Sequence, residues 1–347
     1  MNILLVTSFT LAGIAFLGIS EKRKNMMWTK ISVSILVLLY MLSSMYDVFL
    51  DQVPYFQTYE ELSLVGWGEI FSVSSFEVGW TILNKLTVDI FGANPRILMA
   101  ACSIILAVCF FFAYREYSAW PALSAFLYLT LGFWGMCCTV LRQALSMSIA
   151  VFSYKYILQR KPGKFILVVL LSACFHNSAL FMLLLYPISK LKFNVKYFLG
   201  VIVSSAAVLL VADDVVRIVS KIFNKQYEVS PANNWVTFVA ILTVSLIEVF
   251  IYVKFFEDDK TMHMFCHMTM IASISYLISI SNHSFARIAY YFLTSQLFII
   301  PYIIKKLFAR KDAVIVTFAV MAVSIFYYAV ILNFNDGAMN AYKFFWQ

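Results

Sequence analysis

The sequence predicts an all-α, polytopic membrane bundle of about 12 membrane segments, some of them short or re-entrant. Three observations carry that prediction. Of the 347 residues, 62% are hydrophobic and only 13% are charged, whereas a soluble domain holds about 45–50% apolar and about 25% charged residues. Apolar runs of roughly 15 to 22 residues recur from end to end, in place of the short alternating patterns of soluble helices. The basic residues gather in short clusters between those runs, as EKRK, QRKPGK, KLKFNVK and KKLFARK. That spacing marks cytoplasmic loops and argues against a nucleic-acid-binding face, despite the net charge of +8.

With the clusters placed inside, the elements follow in order. Span 1 (3–19) lacks a basic n-region and a small-x-small cleavage site, so it reads as a retained segment. It runs inward to EKRKN, and span 2 (31–50) returns outward. An extracytoplasmic segment, 51–95, follows. Within it Phe76, Trp80, Leu83, Leu86 and Ile90 recur at steps of three and four while Glu77, Asn84, Lys85 and Asp89 face elsewhere, which predicts an amphipathic helix lying along the membrane surface with Glu77 in its first turn. Spans 3 (97–114), 4 (119–140) and 5 (144–158) then lead in, out and in to QRKPGK.

Residues 165–189 total 25, which suits one tilted helix better than two full crossings. A single crossing would put KKLFARKD outside, so the expectation is two short helices meeting at His176–Asn177. Helices that stop at membrane depth are tolerated where they line a cavity. Span 8 (197–212) leads to a second extracytoplasmic loop, 213–234. Spans 9 (235–253), 10 (264–281), 11 (288–304) and 12 (313–332) complete the map as one integral-membrane domain, 1–347. It places 18 of the 26 Lys and Arg inside.

The candidates for chemistry stand where helices hand over. Arg142, His176 and Arg287 fall on one membrane face in this map, within LRQ, FHN and FARIAYYF. Ionisable groups at that depth are costly and face a cavity or a partner. Two arginines suit a pyrophosphate, since the guanidinium fork binds phosphate oxygens bidentately and keeps its charge. The plainer alternative is an arginine that snorkels to headgroups. His176 can take a proton from an incoming hydroxyl, or serve only as a hydrogen-bonded kink residue. Asp51 and Glu77 compete for the role of base, and Glu60, Glu61 and Glu69 read as solvated loop charges.

Other groups carry less. His263, Cys266 and His267 have the i, i+3, i+4 spacing of a metal clasp but lie beside FEDDK, and Asp213–Asp214 is an isolated pair. No metal site, no cofactor and no structural disulfide is expected, because the six cysteines all fall in apolar runs.

The stretches FEVGWTILNKL, LRQALSMSIAVFSYKYI, LSACFHNSALF, RIAYYF and, loosely, AYKFFW follow one another in an order that resembles the EpsG family, related in role to Wzy-type O-antigen and capsule polymerases. The early stretch YDVFLDQVPYF, which holds Asp51, is a weaker match. The resemblance implies a GT-C-like, multi-pass glycosyltransferase of the bacterial cytoplasmic membrane with its site facing the periplasm. It implies undecaprenyl-pyrophosphate-linked glycans as donor and acceptor, no metal, and flippase and chain-length regulator proteins as further partners beside the membrane lipids. His176, Glu77 and Asp51 would then be the catalytic candidates and Arg142 and Arg287 the pyrophosphate ligands. Gln143, Asn177, Tyr290 and Tyr291 would support them. Two other readings remain: a flippase for lipid-linked sugars, and a membrane O-acyltransferase, for which no HxxFxxSG-like start is present.

Overall fold

The computed structural model describes residues 52–223, 234–280 and 282–329, and these form helices joined by turns and short loops, without strands. Spans 1 and 2, Asp51 and the closing AYKFFW lie outside the described residues. In chain order the α-helices are α1 (Gln52–Ser63), α2 (Ile70–Val73), α3 (Val78–Phe91), α4 (Pro95–Tyr117), α5 (Pro121–Thr130), α6 (Phe133–Thr139), α7 (Leu141–Ala150) and α8 (Tyr154–Leu158). They continue as α9 (Pro162–Ala173), α10 (Leu185–Ile188), α11 (Val195–Phe223), α12 (Trp235–Phe255) and α13 (Lys260–Ser279). The last are α14 (Ser284–Leu293), α15 (Gln296–Leu307) and α16 (Arg310–Tyr327), and Val151–Ser153 and Asn177–Leu184 are 3-10 turns.

Local chemistry sets many of these boundaries. Pro95 opens α4 at a position where its missing N–H costs nothing, and the Asn94 side chain accepts from the Arg96 N–H at 3.1 Å. Asp259 caps α13 by accepting from the N–H groups of Thr261 and Met262, both at 2.9 Å.

Several spans are more broken than hydropathy alone predicts. Span 4 is two helices, α5 and α6, because Gly132 at φ 86° adopts a left-handed conformation that interrupts the helix. Span 11 is divided into α14 and α15 at Thr294–Ser295. The first helical turn after span 4 begins at Leu141, so Arg142 stands on α7 and not in a linker. The run 165–189 is interrupted between Ala173 and Asn177. The second outer loop is corrected in part, since α11 runs through Asp213 and Asp214 to Phe223. Hydropathy averages over a window and cannot see a local turn that keeps its side chains apolar.

Among the described residues three stretches are long and apolar enough to cross a membrane: Pro95–Tyr117, Trp235–Phe255 and Phe285–Leu307. The side chains are distributed as a lipid solvent requires. Helix α12 turns Val236, Val239, Ile247 and Phe250 outward and buries Ser245 and Glu248. In water that distribution would be upside down, and in lipid it is the stable one. The chain is therefore a helical membrane protein.

The described residues form two compact units. The first comprises 52–152, 170–177 and 297–329, and the second 153–169 and 178–296. In the first, α3 packs on α1 and α4, and α7 on α4 and α6. Lys85 of α3 was expected to face away from the apolar stripe, and it is buried. Its Nζ donates to the carbonyls of Leu62 (3.2 Å) and Val65 (2.8 Å) and pairs with Asp89 at 2.8 Å. It thereby closes the end of α1, whose last carbonyls would otherwise lack donors. In the second unit α13 is central, packed on both α12 and α14.

One close approach fixes the start of α3. The Gly79 N–H donates to the Cys174 carbonyl at 2.7 Å, and a Cβ at Gly79 would stand 2.8 Å from that same oxygen. Gly79→Ala should therefore destabilise the protein by about 1–3 kcal/mol, lowering the thermal midpoint in detergent. Gly163→Ala is the control, since nothing lies within 4 Å of its position. Equal midpoints for the two variants would contradict this role for Gly79.

Candidate active site

The first unit assembles its site from α1, α7 and the two segments joined at Gly79. Arg142 lies in the first turn of α7, where its Nη1 donates to Glu77 Oε2 and forms an ion pair with it. Both partners are largely out of solvent, with side-chain exposures of 16% for Arg142 and 5% for Glu77. Glu77 stands immediately before α3 with extended backbone (φ −62°, ψ 148°), so it is the cap position of the helix and not part of its first turn. Its carboxylate is committed to Arg142 and makes no capping bond to the α3 backbone.

Aromatic rings complete the enclosure. The Arg142 guanidinium carbon is 4.4 Å from the Phe76 ring centroid and 5.5 Å from that of Tyr55. Its Nε points to the Tyr55 hydroxyl at 3.4 Å. Tyr55 is itself held edge-on to Phe76 (5.6 Å) and against Trp80 (5.0 Å). Arginine tolerates this setting because its charge is delocalised, weakly hydrated and attracted to π faces. Burial works against the charge, and the Glu77 carboxylate and the Tyr55 hydroxyl offset that cost.

A serine pair ties α7 to the turn that carries His176. Ser146 Oγ meets Ser172 Oγ and Ser172 O, each at 2.8 Å, and Ser172 Oγ donates back to Ser146 O at 2.6 Å. Ser146 Oγ also reaches the His176 carbonyl at 3.5 Å. His176 is half-buried and follows directly on the Cys174 carbonyl that receives Gly79. The first unit thus brings together Arg142, Glu77 and the turn bearing His176 and Asn177, with Gln143 buried beside Arg142 on α7.

Arg287, Tyr290 and Tyr291 belong to the second unit. Arg287 is exposed on α14, Tyr290 meets the Tyr276 ring at 6.3 Å, and the buried Tyr291 hydroxyl accepts from Ser178 Oγ at 3.2 Å. The buried Tyr154 hydroxyl is hydrogen-bonded to Thr294 beside this stretch.

The histidine pair is occupied by its own neighbours. His267 Nε2 lies 3.0 Å from the Leu191 carbonyl and 3.2 Å from His263 Nε2, its Nδ1 faces the Tyr197 hydroxyl at 3.1 Å, and Phe193 stacks on its ring at 4.2 Å. Among the described residues no group of three or more His, Cys, Asp or Glu is placed to hold a metal. A cavity of about 460 Å³ in the second unit is lined by Leu191, Lys196, Tyr197, Gly200 and Ile271, and by none of the predicted site residues.

Sequence reasoning named Arg142 and Glu77 for separate roles and missed that they are partners. It missed Tyr55 altogether. The i, i+1 placement of Phe76 beside Glu77, next to a buried arginine's requirement for an anion and a ring, is the signal that could have joined them.

A multi-helix membrane protein with a buried Arg–Glu pair set among aromatic rings defines the class. The family model of the EpsG family matches residues 28–345, nearly the whole chain, and the protein belongs to the EpsG family. It is accordingly a polysaccharide-polymerase-like membrane protein. No curated protein and no solved structure matches it significantly.

Removing one partner of a buried ion pair leaves the other charge stranded, at a cost of about 3–5 kcal/mol. Glu77→Leu and Arg142→Met should each destabilise by that order, while the double variant recovers most of the loss. Unfolding of the detergent-solubilised set measures the coupling, and additive single-variant losses would show that the two side chains do not depend on each other.

Proposed function

We propose that the protein joins undecaprenyl-pyrophosphate-linked oligosaccharide repeat units at the outer face of the cytoplasmic membrane. Family membership supports this reading, and the observation that carries it is the enclosed Arg142 guanidinium. A GT-C-like arrangement of about 12 membrane segments, with a site open to the periplasm, is part of the same proposal.

In the reaction, a hydroxyl oxygen of the acceptor glycan attacks the anomeric carbon of the donor. The bond from that carbon to the phosphate oxygen breaks, and undecaprenyl pyrophosphate leaves with the electron pair. The hydroxyl proton passes to a base. Negative charge grows on the departing pyrophosphate, so a fixed cation aimed there stabilises the transition state more than the ground state. Arg142 has five N–H donors. Glu77 and Tyr55 hold two of them, which orients the fork and leaves donors for phosphate oxygens. Arg287 is the proposed second cation. With Glu77 committed to Arg142, His176 is the better-placed candidate for the base, and Asp51 lies outside the described residues. Gln143, Asn177, Tyr290 and Tyr291 are proposed to support these groups. The donor and acceptor glycans, membrane lipids, a flippase and a chain-length regulator are the proposed partners.

In cells making the polymer, Arg142→Ala should abolish long chains, a loss greater than its lowered protein level accounts for. Arg142→Lys keeps the charge and loses the fork, so it should slow polymerisation about 10²–10³-fold, as for removal of one transition-state donor. Chain length on a sizing gel, with the protein quantified in parallel, is the readout. Wild-type chains from Arg142→Ala would overturn the assignment.

A further inference from the structure

Glu248 lies well inside α12, a helix long and apolar enough to cross a membrane, and only 3% of it is exposed. Among the described residues no ion pair reaches it, and Thr269 and Gln296 are the side chains close enough to donate to its carboxyl, neither of them at full hydrogen-bond geometry. Its surroundings are polar but uncharged. Ser245 is on the same face of α12 one turn earlier, and Thr269 and Gln296 face the carboxyl. Cys266 of α13 is the titratable group that faces it.

The donors near Glu248 are shared with other acceptors. Thr269 Oγ1 donates to the Phe265 carbonyl at 3.2 Å, and Gln296 Nε2 donates to Thr269 Oγ1 at 2.8 Å. Ser295 Oγ lies 3.3 Å from Thr269 Oγ1, and Ser245 Oγ is turned to the Met270 sulfur at 3.8 Å. The seam between α12 and α13 therefore presents oxygen atoms and an acid, with no cation among the described residues.

A bare carboxylate in such a place is too costly to persist. Acids inside membrane helices mark ion or proton sites when the protein supplies no partner. The missing positive charge must then come from solvent. We propose that Glu248, with Thr269 and Gln296, forms a membrane-interior site for one small monovalent cation, a proton or Na⁺. The site does not depend on the polymerase reading, and its occupant is read without any glycan substrate.

Infrared difference spectra of the purified wild-type protein and Glu248→Gln, in Na⁺-free choline buffer at neutral pH, test this directly. The expected result is a carboxylic-acid carbonyl band that shifts in D₂O and is lost in Glu248→Gln. If that band survives added NaCl, the occupant is a proton; if NaCl converts it to a carboxylate band, Na⁺ takes the same site. Thermal stability should then depend on Na⁺ in the wild type and not in Glu248→Gln. Should Glu248→Gln not accumulate, Glu248→Asp keeps the acid and shifts the band instead of deleting it. A carboxylate in both buffers, with no acid band assignable to Glu248, overturns the proposal.

Discussion

The cost of keeping a charge away from water governs the first unit. Arg142 cannot occupy a largely enclosed position on α7 alone, and the protein meets that cost with one carboxylate and two rings. The partners arrive on two pieces of chain, Tyr55 on α1 and Phe76–Glu77 just before α3, and each piece must be fixed. Glu77 is set by the extended backbone before α3, which is anchored through Gly79 to Cys174. Tyr55 is set by α1, whose end is closed by Lys85. Helix α7 is held to the 172–176 turn by the Ser146–Ser172 pair. The ion pair is thus the point on which three short connections converge.

The same constraint explains why the helices are short and interrupted. The proposed site, which would hold phosphate oxygens and sugars, needs backbone ends and polar side chains at membrane depth, and lipid permits those only where protein encloses them. The interruptions at Gly132, at 174–176 and at Thr294–Ser295 lie in such enclosed stretches, with Ser172, Thr294 and Ser295 all fully buried. Lipid-facing side chains on α12 and α16, such as Phe250, Ile315 and Phe326, keep the outside uniformly apolar. Polar residues are spent inside, on joints, on the Arg142 cluster and on the Glu248 seam.

Much of this was legible in the sequence. Composition and run length specify a helical membrane protein, and LRQ and FHN single out Arg142 and His176 because few other residues interrupt such long apolar stretches. The break near His176 follows from the charge map, which needs two crossings where the length of 165–189 suits one. Pairing was not legible. Glu77 and Arg142 are 65 positions apart, and nothing local tells which acid a buried arginine has chosen. Lys85 misled for a related reason: periodicity assigns a charged residue to the outside, while the two carbonyls at the end of α1 draw it in. Glu248 passed unnoticed because one acid hardly changes the hydropathy of a 21-residue helix.

The most direct test of the central claim is polymerisation by the purified protein from defined undecaprenyl-pyrophosphate repeat units in EDTA, with products resolved by size. The account predicts a ladder from the wild type and none from a folded Arg142→Met/Glu77→Leu double variant, which keeps the packing and removes the cation. No ladder from folded wild type with authentic substrate, or an undiminished ladder from the double variant, would contradict it.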